Sequence, residues 1–330
     1  EEAAIALRIA LTKLRPDILV VTGDLQDHPW LDARAVRSWL EATARGCGLT
    51  DPQGVLLRDR LIVLAGNHDL FVFGLTGVHA IAGALFRRQH GIQRCDVQYV
   101  ATARVAFFHL DLNPVAALFS AEGTVYADRL GSLREAIATH PLKSEILSAT
   151  RILLVHPHPL PVPHNGTDFL LATQGTHHLL RFMAEQRIHM VLHGHKHFAT
   201  WSHMRVGGAT DHAHFLEILG AGSAMKDGDI DSRGHNFNLI TISDAGVRRV
   251  RQYFKHPASS HFEEKPPSEP ERETQALVTG KYGARYRIAE IICNAAVDGE
   301  GTARNRYKLR GMQFRGACDA LIRLPKIRDE

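Results

Sequence analysis

The chain has 330 residues, a formal net charge of +4, and 45% hydrophobic against 22% charged residues. That balance fits a globular enzyme built as one large domain with a smaller appendage. No apolar stretch reaches the ~18–20 residues that cross a bilayer, and a small, dispersed charge gives no argument for nucleic acid as a partner. The four cysteines, Cys47, Cys95, Cys293 and Cys318, are far apart and form no metal-binding pair. They read as reduced thiols, the usage of a cytoplasmic protein.

In chain order, Leu7, Leu11 and Leu14 share a face of a helix predicted over 3–15. Pro16-Asp17 ends it, and Ile18–Val21 is a nearly all-apolar strand of the parallel-sheet kind. A second helix is expected at 32–45 and a second such strand at Leu61–Ala65. Strands are expected at 97–102 and 104–110, a helix at 130–139, a strand at 151–155, a helix at 176–186 and a strand at 188–192. The pattern then turns to shorter strands, with a hairpin over 237–242 and 247–253. The Pro-, Ser- and Glu-containing stretch 256–274 reads as an exposed linker. Beyond it, 275–330 reads as a small hairpin-containing region around Asp298–Gly301, packing on the main domain or pairing with another subunit.

The informative feature is where the apolar runs end. Gly23-Asp24 closes the first strand and Gly66-Asn67-His68-Asp69 the second. His156 follows Leu153–Val155, and Gly194-His195-Lys196-His197 follows Met190–His193. Four strand ends carrying metal-type ligands is how an α/β fold assembles a site, because the carboxyl ends of its strands converge on one edge. A lone Gly-Asp is an ordinary turn. A turn explains one of the three polar residues Asn67, His68 and Asp69, not all of them.

The order Gly-Asp, Gly-Asn-His-Asp, His, Gly-His-x-His resembles the calcineurin-like metallophosphoesterase superfamily, most nearly its bacterial class III cyclic nucleotide phosphodiesterase-like branch. Phe108–Asn113, the Leu130–Ile137 helix and Leu219–Ala224 are similar to that branch as well, so the resemblance covers about 3–254. It implies a four-layer α/β/β/α sandwich, here with a small β-rich C-terminal extension, and a catalytic domain over 1–255. It also implies two divalent ions; the mixed oxygen and nitrogen ligands suit Mn, Fe or Zn. Asp24 would bridge the ions, Asn67, His156 and His195 would complete one shell, and His197 would serve the other. His68 would be the non-ligand histidine that touches phosphoryl oxygens or protonates the leaving group. Asp27 resembles the acid that orients it, with Asp69 as its competitor. His158 is the rival of His156 and otherwise a substrate-facing residue. His109, Asp111 and Asn113 either line the cleft or order loops.

One departure matters. The family opens with an Asp-x-His on a first strand before the Gly-Asp, and no histidine precedes Gly23 here. The expectation is that the natural chain begins upstream of Glu1. The activity implied is hydrolysis of a phosphodiester, small and nucleotide-like or cyclic, by a metal-activated hydroxide. A DNA nuclease, a phosphomonoesterase and a catalytically impaired binding scaffold are the alternatives. The basic runs Arg87-Arg88, Arg248–Arg251 and Arg304–Arg310 are short and separate, which disfavours the nuclease.

Overall fold

The computed structural model describes residues 2–25, 33–70, 84–88, 91–113, 123–160, 173–195, 197, 199–206, 214–225, 235–243, 248–265 and 284–291. The first helix, α1 (Glu2–Leu14), buries Ala3, Ala6, Leu7 and Leu11 on one side. It closes at Arg15, whose φ of 47° and N–H bond to the Leu11 carbonyl at 2.9 Å form a left-handed cap before Pro16. Then come β1 (Ile18–Val21), α2 (Ala33–Gly46), β2 (Leu61–Val63) and the single turn α3 (Asn67–Leu70). β3 (Cys95–Val100) and β4 (Val105–Leu110) precede α4 (Ala127–Thr139) and α5 (Lys143–Ser148). β5 (Thr150–Leu154), α6 (Thr176–Glu185) and β6 (Met190–His193) continue the alternation. Five strands follow: β7 (Thr200–Val206), β8 (His214–Gly220), β9 (His235–Ser243), β10 (Arg248–Lys255) and β11 (Glu263–Glu264); β12 (Ala284–Ile291) comes last.

These strands form two six-stranded sheets, in the orders β11-β10-β9-β12-β1-β2 and β3-β4-β5-β6-β8-β7. β12, β1 and β2 run parallel in the first, as do β4, β5, β6 and β8 in the second. The all-apolar character of β1 has a direct cause. Ile18 and Val20 point between the sheets, where they join Ile62, Leu64, Phe107, Ile152 and Leu154. Leu19 and Val21 point outward and join Leu7, Leu11 and Leu40 under the first helix layer. A strand covered on both faces has no polar side to show. On the far side, Leu133, Ile137, Phe182 and Met183 cover Ala106, Phe108, Leu153 and Val191. The architecture is the α/β/β/α sandwich, with a C-terminal strand joined to its first sheet.

That last strand departs from the expected organisation. The domain was bounded at 255, with 275–330 set apart, but residues 284–291 lie inside the first sheet, with Ile288 opposite Ile18 and Ile291 opposite Val21. The compact unit accordingly runs from Glu1 to Ala295. The expected linker also begins later than its composition suggests. Tyr253 pairs with Glu264 across β10 and β11, and Phe262 is buried with its ring 5.1 Å from that of Phe237. Residues 266–283 and 292–330, which hold the rest of the expected linker and the Asp298–Gly301 turn, lie outside the described residues. Cys47 and Cys95 are free thiols, both pushed up to about 11, by burial in each case. Among the described residues no helix is long and apolar enough to cross a membrane.

Candidate metal centre

The carboxyl ends of β1 and β2 meet those of β5 and β6, and the four sequence motifs meet with them. Asp24 is fully buried. Its Oδ1 accepts the His68 backbone N–H at 3.0 Å, while Oδ2 lies 3.3 Å from His156 Nε2 in an alignment that makes no hydrogen bond. Asn67 Oδ1 stands 2.9 Å from His156 Nε2 and 2.8 Å from His195 Nδ1. One amide oxygen, one carboxylate and two imidazoles thus face a common point. Asp24, His68 and His197 form a second group, each offering an atom within 4.8 Å of the others.

The backbone is shaped to permit this. Asp24, His195 and His197 take left-handed φ values of 51°, 76° and 54°, a conformation uncommon outside glycine and often found at working sites. Gly23 has a φ of 103°, and a Cβ there would stand 2.3 Å from His156 Nδ1. A Cβ at Gly66 would stand 2.1 Å from Asp24 Oδ1. Only hydrogen fits where the two loops cross. Asp69 locks the crossing: its Oδ2 accepts the N–H of Gly66 at 2.8 Å and of Leu25 at 3.2 Å.

Electrostatics prepare the same atoms. Burial opposes ionisation of Asp24, but His156, His68 and His197 outweigh it and hold the carboxyl below the usual range. Burial likewise opposes a charged His156, and Asp24 with the Thr22 carbonyl outweighs it, so that ring's pKa is raised. His195 goes the other way, well below the ordinary value, because burial and the nearby His156 both disfavour its proton. The Thr22 carbonyl can only accept, so the 2.7 Å contact fixes the proton of His156 on Nδ1. That leaves Nε2 pointing at Asn67 and Asp24, the tautomer a metal-binding histidine needs.

These donors fit divalent cations. The buried Asp24 Oδ2 makes no hydrogen bond among the described residues; it would be costly left bare, and a cation answers it. Asp24, Asn67, His156 and His195 would hold one ion, and Asp24 with His197 another.

Of the residues expected from sequence, Asp24, Asn67, His68, His156, His195 and His197 come together. Of His156 and His158, it is His156 whose Nε2 faces Asn67 and Asp24. His158 is fully buried, its ring stacked 5.8 Å from that of His195 at 19°. Asp27 lies outside the described residues. Asn113 is buried and acts as a loop tether: its Nδ2 donates to the Ala65 carbonyl and to Asp111 Oδ1, both at 2.9 Å. His109 sits at the end of β4 and lines two cavities, one of them shared with His156.

Sequence reasoning missed Arg129. This buried guanidinium donates to the Asp111 carbonyl, and to the Asn113 carbonyl at 3.0 Å, while Arg87 meets Asp111 Oδ2 at 2.5 Å. Through Asn113 the network reaches Ala65, immediately before Gly66. The only available signal was an arginine among the apolar positions of α4, where Leu130, Leu133 and Ile137 are buried beside it.

A family model described as calcineurin-like phosphoesterase matches residues 3–199. A search of curated proteins returned no match.

Proposed function

We propose, for a chain that belongs to the calcineurin-like phosphoesterase family, a two-metal hydrolysis of phosphodiesters, on a small nucleotide-type or cyclic substrate. Membership implies a metal-dependent phosphoester hydrolase; the diester, the second ion and the class III-like branch are our reading. The observation that carries it is the convergence on Asn67 Oδ1 of His156 Nε2 and His195 Nδ1, at 2.9 and 2.8 Å, beside the unbonded Asp24 Oδ2.

Divalent ions of the Mn, Fe or Zn kind would supply Lewis acidity and a nucleophilic water near neutral pH. Asp24, lying in both ligand groups, is placed to bridge. His156 Nδ1 donates to the Thr22 carbonyl, which fixes the ring's orientation and keeps Nε2 toward the site. His68 projects from the first turn of α3, its ring 6.4 Å from that of His197. There it can hold a proton for a departing alkoxide or donate to a phosphoryl oxygen. Its place within the Asp24–His197 group supports a second reading, in which His68 is itself a ligand.

The basic runs support a small substrate over DNA. Arg87 is engaged by Asp111, Arg248 meets Glu217 at 2.7 Å and Arg251 meets Glu264 at 3.4 Å. We place the enzyme in the cytoplasm, with self-association through the C-terminal region outside β12.

The test is hydrolysis of bis(p-nitrophenyl) phosphate and of p-nitrophenyl phosphate by protein stripped of metal and then resupplied with Mn²⁺. The expected result is metal-dependent turnover of the diester, abolished by Asp24→Asn. With His68→Ala, a proton-donor role predicts full metal content and low turnover, whereas a ligand role predicts that both fall. Preference for the monoester would replace the reading with a phosphomonoesterase. No turnover at full metal occupancy would leave a binding scaffold.

A further inference from the structure

The sandwich is open at one edge. β2 ends the first sheet and β3 the second, and a cavity of about 670 Å³ is lined by both. Pockets of that size hold small organic ligands. Neither Asp24, Asn67, His68, His156, His195 nor His197 lines it. The separate gap lined by both His109 and His156 holds only about 10 Å³, room for roughly one water.

The inner wall is unusual. Asp96 pairs with His109 and Gln98 with Phe107 across β3 and β4, so these side chains share the face that carries the inter-sheet core at Val105 and Phe107. Three polar groups therefore stand where the core would be expected to continue. His109 is only 7% exposed, and its buried Nε2 makes no hydrogen bond among the described residues. Burial holds the ring neutral, its pKa lowered to about 4 although Asp96 pulls upward. A neutral imidazole nitrogen in that position can still give or take one hydrogen bond, and a buried one calls for an explanation.

The other surfaces complete a pattern. Leu40, Leu56 and Ile92 supply apolar lining, and the edge strand β2 adds its backbone. Arg37 and Arg45 also line the cavity, but Glu41 engages them at 2.9 and 3.5 Å. Arg58 and Arg88 are exposed at its rim and form no ion pair with any described residue. Apolar sides, a hydrogen-bonding floor and a cationic rim suit a flat polar ring that carries an anionic group.

We propose that this cavity is a second ligand site, taking a small molecule of the nucleoside phosphate class. The ring lies against Leu56 and Ile92, its polar edge meets Asp96, Gln98 and His109, and its phosphate meets Arg58 and Arg88. The site does not depend on which ester the metal centre cleaves.

Calorimetric titration of the metal-free protein with ADP as probe tests this, beside adenosine and inorganic phosphate. Saturable ADP binding at a single site is expected, weakened about tenfold or more by Arg58→Ala with Arg88→Ala and also by His109→Gln. Adenosine should bind more weakly than ADP and lose nothing further in the arginine variant. Asp24→Asn should leave ADP binding unchanged. Both arginines are exposed, and a circular dichroism melt checks that each variant folds. Absence of ADP binding at about 1 mM overturns the proposal. So does binding that survives the arginine substitutions, or binding lost with Asp24→Asn, which would place the ligand at the metal centre.

Discussion

Two buried polar clusters stand at neighbouring strand ends, and they are built in opposite ways. Around Arg129 the charged groups answer one another, although Arg87 Nε and Asn113 Oδ1 have no hydrogen-bond partner among the described residues. The guanidinium serves two backbone carbonyls, and Asp111 is met by Arg87 and by the backbone N–H of Asn113. Around Asp24 they do not. A buried carboxylate oxygen and a buried imidazole nitrogen lack hydrogen bonds among the described residues, and three residues hold left-handed backbone. A cluster whose charged groups are hydrogen-bonded from within holds a loop in place, while one with a bare carboxylate oxygen on left-handed backbone calls for a group from outside. The contrast separates scaffold from site more clearly than burial does, since both clusters are buried.

The sharpest way to break this contrast is Asp24→Asn. Turnover should fall about 100-fold or more, and the rise in melting temperature on adding Mn²⁺ should vanish. The metal-free melting temperature should fall only modestly: His156, His68 and His197 favour the ionised carboxylate and lose it, while Oδ1 still accepts the His68 N–H. A large metal-free destabilisation would instead make Asp24 part of the scaffold. Gly66→Ala comes next. Its Cβ would stand 2.1 Å from Asp24 Oδ1, so overpacking should cost about 1–3 kcal/mol in denaturant unfolding and the metal-induced shift should shrink.

Arg129→Met should show the opposite signature. It strips donors from two carbonyls and should cost about 1–3 kcal/mol, equally in metal-free and metal-loaded protein. Loss of metal affinity should stay smaller than for Asp24→Asn. A Mn²⁺ titration of both variants decides it, and equal losses of affinity would erase the distinction between the clusters.

The sequence made the site more legible than its support. Ile18–Val21 could be read as a strand covered on both sides because every residue in it is apolar, and Asp24, Asn67 and the histidines stood out because they end such strands. Arg129 could not be read that way. Its partners are carbonyl oxygens, which leave no trace in residue identity, and its one signal is an arginine among the apolar positions of α4. The strand 284–291 was assigned to a separate region because the Pro-rich stretch before it breaks the composition, and composition does not say where a chain returns. It returns to a slot between β1 and β9, parallel to the first and antiparallel to the second, a long-range pairing that local pattern does not encode. The roles of Asp69 and Asn113 were open for a related reason. Both turned on which backbone groups lay within reach, and those belong to loops distant in sequence.

The smallest effect concerns His109, which belongs to neither cluster and tests whether burial alone marks a functional group. Its pKa falls from the ordinary 6.5 to about 4, chiefly through burial. Between those values the unfolded chain binds a proton at this ring and the folded chain does not. Stability therefore rises with pH across that window and is lost as pH falls from 6.5 toward 4. The loss attributable to the ring is at most about 3 kcal/mol. His109→Gln keeps a polar group facing Asp96 and has nothing to titrate, so urea midpoints should fall less steeply on acidification over that range. Above pH 7 the two proteins should differ little. If the acid limb is unchanged, His109 is already protonated in the folded state, and the neutral hydrogen-bonding floor assigned to the second cavity would be a cation instead.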